Sequence, residues 1–286
     1  MIPAFVKRNL TLFFRDRAAV MSSLLAVFIV IVLYALFLGD VWLDGSMDYV
    51  ENASHLMDAW LMAGLLSIAS ITTTMGAFGI MVEDKTKRID KDFYSSPMRR
   101  RSITVGYLGS AFLIGTIMSC ITLILAQIYI VMRGGAWFSP VTCIESFLLI
   151  LLSVLVSTSL VCFIVSFLKS QNAFGTASAI LGTLVGFLTG VYLPVGALPG
   201  FAQTLIGAFP LTHSTSLLRQ ILMEESMGEG FEGLPTESLD EFKEYMGIDV
   251  HIGGFEVAPT ISVLILILTT LVFFGLSVLN MSRKND

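Results

Sequence analysis

The chain has 286 residues, 55% hydrophobic and 14% charged, with a mean hydropathy of +0.82. That balance lies outside the range of soluble globular chains and marks an integral membrane protein. A formal net charge of −5 gives no electrostatic footing for nucleic acid, so DNA and RNA are excluded as partners.

Residues 1–19 open the chain with Val6, Leu10, Phe13 and Phe14 at helical spacing and Lys7, Arg8, Arg15, Asp16 and Arg17 on the other side. This predicts an interfacial helix in the headgroup plane of the membrane lipid; the alternative is a basic flank that only sets topology. The start lacks the short apolar core and small-residue cleavage site of a signal peptide, so the first span is expected to act as an uncleaved insertion signal.

Apolar stretches of the roughly 20 residues a helix needs to cross a bilayer run near 20–38, 61–82, 103–131, 146–168, 175–192 and 260–280, which predicts six transmembrane helices. Of the 17 Lys and Arg residues, all but Arg133, Arg219 and Lys243 fall on the side of the termini. Basic flanks stay in the cytoplasm, so both termini are expected there. The first outer loop, 39–58, carries Asp40, Asp44, Asp48, Glu51 and Asp58 without a single Lys or Arg.

Between the second and third spans, the polar segment 83–101 packs Lys85, Lys87, Arg88, Lys91, Arg99, Arg100 and Arg101 among acids and the aromatic pair Phe93 and Tyr94. It is too polar for lipid and amphipathic enough to fold against a soluble partner. In the second span, Ser67, Ser70, Thr72, Thr73 and Thr74 bring hydroxyls into the bilayer, either for bonds within and between helices or toward a substrate path. In the fifth, Ser178, Gly182, Gly186 and Gly190 recur every four residues. Such a stripe lets another helix approach closely, in this chain or in a second copy.

Residues 194–258 follow the fifth span. Two short apolar runs, begun by Pro199 and Pro210 with Phe209 between them, are too short to cross and predict a re-entrant helical hairpin on the outer side. From Glu224 to Glu256 ten acids face only Lys243, which predicts a small acidic extracytoplasmic lobe, either a solvated cap or a collector of cationic substrate. Cys120, Cys143 and Cys162 have no metal-ligand spacing and read as buried small hydrophobes, while His55, His213 and His251 are isolated and expected outside. There is no His-Glu-x-x-His helix, no Gly-x-Ser-x-Gly elbow and no phosphate loop, so no catalytic or metal site is expected in this chain. Spans 20–38, 61–82, 175–192 and 260–280 contain no Asp, Glu, Lys, Arg or His, which disfavours proton coupling and points to energy delivered from outside the bilayer.

In this order, the N-terminal helix, the six spans, the loop with Glu83, Lys87, Ser96-Pro97 and Arg99 to Arg101, and the segment from Leu198-Pro199 through Pro210-Leu211-Thr212 to Leu218-Arg219 resemble the permease subunit of ABC-2 type transporters along residues 1–286. The resemblance implies an all-α membrane protein with an N-terminal interfacial helix, a cytoplasmic coupling helix and an extracellular re-entrant hairpin. It implies an ABC exporter of a hydrophobic or amphipathic substrate, such as a drug, antibiotic, peptide or lipid-like molecule, in a bacterial plasma membrane. ATP and Mg would be bound by a separate nucleotide-binding ATPase subunit, with no cofactor on this chain and a second permease copy or related permease as further partner.

Carried onto these residues, the resemblance makes Glu83, Asp84, Lys87, Arg88, Asp90, Phe93, Tyr94, Arg99, Arg100 and Arg101 the ATPase-coupling candidates. Ser67, Ser70, Thr73, Thr74, Gly182, Gly186 and Gly190 become candidates for the pathway or the dimer contact, and Pro199, Phe209 and Pro210 for the outer gate. The loop departs from the usual Gly and Glu-rich pattern, with Arg88-Ile89-Asp90-Lys91-Asp92 in its place. Two alternatives stay open from the residues alone: a membrane anchor or sensor for a cytoplasmic partner, and an intramembrane lipid-processing enzyme, against which the missing catalytic groups argue.

Overall fold

The structure is a computed structural model that describes residues 2–34, 52–95 and 100–283. Within them the side chains of Ala26, Asp90, Tyr94, Ser95, Arg100, Arg101 and 281–283 are not among those described. The expected acidic loop from Asp40 to Glu51, the Ser96-Pro97 pair and Arg99 lie outside the described residues.

Helix α1 (Ile2–Arg15) ends where Asp16 adopts an extended backbone and caps α2 (Arg17–Leu33), its carboxylate accepting from Ala18 N and Ala19 N at 2.9 and 3.1 Å. The α1 face that packs inward is Phe5, Asn9 and Phe13; of the expected stripe Val6, Leu10, Phe13 and Phe14, Phe13 is buried, Val6 and Leu10 are half-buried and Phe14 is exposed. The polar Asn9 can occupy that face because Ser110 accepts its amide at 3.0 Å.

Helix α3 (Ala53–Thr86) has 34 residues and is about 51 Å long, well beyond the roughly 30 Å of hydrocarbon. It is the central helix: 78% of its apolar span is buried, against 22% for the last helix of the chain. A reversal at Arg88, whose φ is +62°, leads into the short α4 (Asp90–Ser95) and then α5 (Arg100–Met132), which packs along α3. Ser139 caps α6 (Pro140–Phe167) through its hydroxyl and Pro140 fills the first helical turn, where a missing N–H costs nothing. Ser170 caps α7 (Gln171–Leu188) in the same way.

A 3₁₀ turn (Val195–Ala197) leads to the hairpin of α8 (Gly200–Ala208) and α9 (Pro210–Leu222). Pro199 is the N-cap of α8, Pro210 opens α9, and half-buried Phe209 is the corner between them. Helix α9 is wedged among α3, α6 and the last helix, so that nearly every residue from Leu211 to Arg219 is buried. The lobe comprises α10 (Glu224–Gly230), α11 (Thr236–Met246) and a two-stranded hairpin, β1 (His251–Ile252) with β2 (Phe255–Glu256), the one departure from helix among the described elements. Its own apolar residues, Met227, Phe231, Phe242, Met246 and Ile248, join the core under the outer end of α3. Helix α12 (Pro259–Arg283) closes the described chain against α6.

Among the described residues, four helices are long and apolar enough to cross a membrane: α3, Ser102–Met132 of α5, α6, and Pro259–Asn280 of α12. Helices α2 and α7, expected as the first and fifth crossings, are not among them.

Candidate functional site

The C-terminal end of α3 carries a buried charge cluster. Asp84 is only 3% exposed at its side chain, and its two oxygens accept from Arg8 Nη2 and Nη1 at 2.8 Å each and from Tyr107 Oη at 2.7 Å. The Asp84 hydrogen bond holds the Arg8 guanidinium above its ordinary value even though partial burial opposes this. Around this pair, Phe5 stands edge-on to both Phe93 and Tyr107, with ring centroids 5.1 and 4.9 Å apart, and the Arg8 guanidinium lies 5.2 Å from the Phe93 centroid. Four elements thereby meet: α1 through Phe5 and Arg8, α3 through Asp84, α4 through Phe93, and α5 through Tyr107.

The outward face of this corner is different in character. Glu83 and Lys87 pair at 2.5 Å one turn apart and stay more than half exposed, and Arg88 and Lys91 are exposed as well. Such solvated pairs add little stability and leave their charge available to a partner surface.

Above the cluster, a groove of about 760 Å³ runs between α2, α3 and α7. Its walls are apolar, with hydroxyls from Ser22, Ser23, Thr72, Ser178 and Thr183, and no charged residue lines it among those described. At one end Ser22, Gly76, Gln171 and Phe174 also border a second hollow of about 630 Å³, which is lined by Arg8, Arg15, Lys87, Asp16, Glu83 and Asp84. Because they share these four lining residues, the apolar groove and the charge-lined hollow adjoin along the flank of α3. On the opposite flank, Ser70 meets Ser157 at 3.0 Å and Ser67 meets Ser214 at 3.5 Å, with Ser153 also bonded to Ser214. This hydroxyl seam ties α3 to α6 and α9.

The profile of the ABC-2 type transporter family matches residues 2–223. The chain belongs to that family. It is 26% identical over 184 residues to Nodulation protein J of Bradyrhizobium diazoefficiens, spanning 61% of this chain and 64% of that protein. It is 28% identical over 175 residues to the linearmycin resistance permease protein LnrN of Bacillus subtilis, spanning 61% of this chain and 44% of that protein. The chain thus spans less than two thirds of the length of either relative. As an ABC-2 family member with several helices long and apolar enough to cross a bilayer, it is a multi-pass membrane protein.

Within this ABC-2 chain the expected site residues separate into groups. Glu83, Lys87 and Arg88 are on the outward face, whereas Asp84 is inside the protein and Phe93 is half-buried against Phe5 and Arg8, so these two serve internal contacts. The side chains of Asp90, Tyr94, Arg99, Arg100 and Arg101 lie outside the described residues. Ser67, Ser70, Thr73 and Thr74 are fully buried and bonded within the bundle, Thr73 to Ala69 O and Thr74 to Ser70 O; only their neighbour Thr72 borders the groove.

The glycine stripe of α7 also divides. Gly182 lines the groove with open space at its Cβ position, Gly186 is covered by the Tyr192 ring of the same chain, and Gly190, with φ +63°, is where the helix ends. Two residues expected on the outer side of the membrane are buried within the protein. His213 bonds Ser262 at 3.0 Å, and Arg219 is 1% exposed beneath Trp60. Cys143 is exposed and Cys120 half-buried; of the three cysteines only Cys162 is buried as expected.

Proposed function

We propose that this chain is the permease of an ATP-driven exporter for a hydrophobic or amphipathic substrate, with ATP hydrolysed by a separate nucleotide-binding subunit. In this reading α2 and α7 complete six crossings, both termini are cytoplasmic in a bacterial plasma membrane, and two permeases face each other. The observation that carries it lies along α3: an uncharged apolar groove of about 760 Å³ that adjoins a hollow bordered by both signs of charge. A molecule with an apolar body and a polar head matches that division. The relative named as a linearmycin resistance permease supports export, and the uncharged spans support an external energy source.

Segment 83–101, in which Glu83, Lys87, Arg88 and Lys91 are exposed, is the grip for the ATPase. Its mixed charge steers association with a soluble surface and fixes register more than it adds affinity. The test is co-purification of the ATPase with a variant in which Lys87, Arg88, Arg99, Arg100 and Arg101 are reversed to Glu. Loss of the ATPase with normal membrane insertion is expected, because Lys7, Arg8, Arg15 and Arg17 still set topology. Undiminished co-purification would overturn the assignment. ATP-dependent transport by the unaltered complex separates an exporter from an anchor, which would hold the ATPase and move nothing.

A further inference from the structure

The outer end of the molecule is organised around one cation. Arg219, in α9, is 1% exposed, and no carboxylate among the described residues pairs with it. A buried charge without a counter-charge is costly unless something else compensates. Its Nη2 donates to Gly190 O at 2.9 Å, and its Nη1 donates to Met246 O and Gly247 O at 3.2 Å each.

Those carbonyls belong to the C-terminal ends of two helices. Helix α7 finishes on Gly190 with φ +63°, and α11 finishes on Gly247 with φ +66°. Both are left-handed glycine stops, which turn unpaired carbonyls toward a donor, and a helix C-terminus carries partial negative charge. Two helix ends therefore substitute for the missing carboxylate. A methyl group at either glycine would sit within 2.8 Å of Val195 Cγ2, so the two stops also share a packing neighbour. The flat guanidinium lies 4.3 Å from the centroid of Trp60 in α3, and Trp60 Nε1 itself donates to Met246 O at 2.9 Å. Ser216, one turn before Arg219, bonds Ile248 O.

We propose that Arg219 is a positioning residue of the outer gate: by holding the ends of α7 and α11 at one guanidinium, it makes the extracytoplasmic lobe, 224–258, travel with the α7 corner. The lobe is then a moving part of the gate and not an independent acidic cap. Elsewhere in α9, Thr212 donates to Leu188 O at 2.7 Å, and Ser216 and Gln220 bond Ile248 O and Asp249, but among the described residues Arg219 alone bonds both helix ends at once. A lysine presents one ammonium and cannot reproduce the planar fork that spans two helix ends. The inference rests on the exporter reading only for the word gate; the tether itself is a property of the free chain.

The experiment uses full-length chain in nanodiscs, purified with its ATPase, with Cys120, Cys143 and Cys162 replaced by Ser. Spin labels are placed at exposed Leu184 of α7 and exposed Glu237 of α11, and in a reference sample at Leu184 and exposed Trp137, which does not cross the clamp. With Arg219 present, the Leu184 to Glu237 distribution is expected to be narrow and to keep its centre when nucleotide is trapped with vanadate. Arg219→Met is expected to broaden that distribution and leave the reference pair unchanged, with Arg219→Lys in between.

A distribution that stays narrow in Arg219→Met overturns the proposal. So does a parent distance that shifts on trapping by more than a helical turn, about 5 Å, because lobe and α7 would then move separately. Should Arg219→Met fail to fold, Arg219→Lys decides alone, a narrow distribution counting against the clamp. If no ATPase co-purifies, the exporter reading fails, yet the nucleotide-free comparison still tests the tether.

Discussion

Removing Arg8 should cost more than removing Arg8 and the charge of Asp84 together. The carboxylate is 3% exposed and takes two of its three described hydrogen bonds from Arg8 at 2.8 Å, the third coming from Tyr107. Arg8→Met leaves that charge buried with one neutral donor. Breaking a buried pair from one side typically costs about 3–5 kcal/mol. Arg8 is itself about one-third exposed, and water entering along its path moderates the penalty, so the lower end, about 3 kcal/mol, applies.

Adding Asp84→Asn neutralises the stranded charge and should restore roughly 1–2 kcal/mol. At about 2 °C per kcal/mol for a chain of this size, Arg8→Met lowers the melting temperature by about 6 °C and the double variant by clearly less. Tryptophan fluorescence on heating in detergent reads both. A double variant that melts at or below Arg8→Met would refute the reasoning, because Asp84 would then be stabilising without its partner.

Two further predictions concern α7 and the lobe. Gly186→Ala places a methyl 2.2 Å from the Tyr192 ring and is expected to lower thermal stability by about 1–3 kcal/mol, whereas Gly182→Ala meets nothing within 4 Å and should leave stability unchanged. Equal melting of the two variants would show that Tyr192 does not occupy that gap. In the lobe, burial and then the Glu256 charge raise the Asp249 carboxyl above its ordinary value, while Lys243, the Gln220 hydrogen bond and His251 oppose this. A raised folded-state value favours the protonated acid, so its stabilising contribution is complete below the ordinary carboxylate range and is lost as pH rises through the folded value. Hydrogen exchange across 247–258 should therefore slow, beyond the intrinsic pH effect on exchange, as pH falls from neutral toward the ordinary carboxylate range, and Asp249→Asn should flatten that response.

The sequence disclosed most of what local chemistry governs. Pro199 and Pro210 mark the starts of two short helices after α7, and those helices follow from runs too short to cross. What it hid depends on partners far along the chain. Asn9 looks like a surface residue until Ser110 is brought to it, and Asp84 looks like one more charge in a polar loop until Arg8 and Tyr107 enclose it. Phe93 has the profile of an exposed aromatic anchor, yet Phe5 covers it.

Arg219 misled for a different reason. Counted with the topogenic charges, it read as an outer-loop cation, but its acceptors are backbone carbonyls 27 to 29 residues away, which no side-chain pattern announces. Its one signal was position: an Arg at the end of the buried run from Leu211, where an ionisable residue is a site by default. The hydroxyl run from Ser67 to Thr74 carried two readings, and the structure sorts them by helix face, Thr72 toward the groove and Ser67, Ser70, Thr73 and Thr74 into the bundle.

The central claim is that the corner between α3 and α5 projects into the cytoplasm to meet an ATPase. A single cysteine at exposed Lys91, in a background free of the native cysteines, tests it directly with a membrane-impermeant maleimide. The account predicts labelling in inverted membrane vesicles and none in intact cells. Labelling in intact cells would contradict it, because the segment would then face away from any source of ATP.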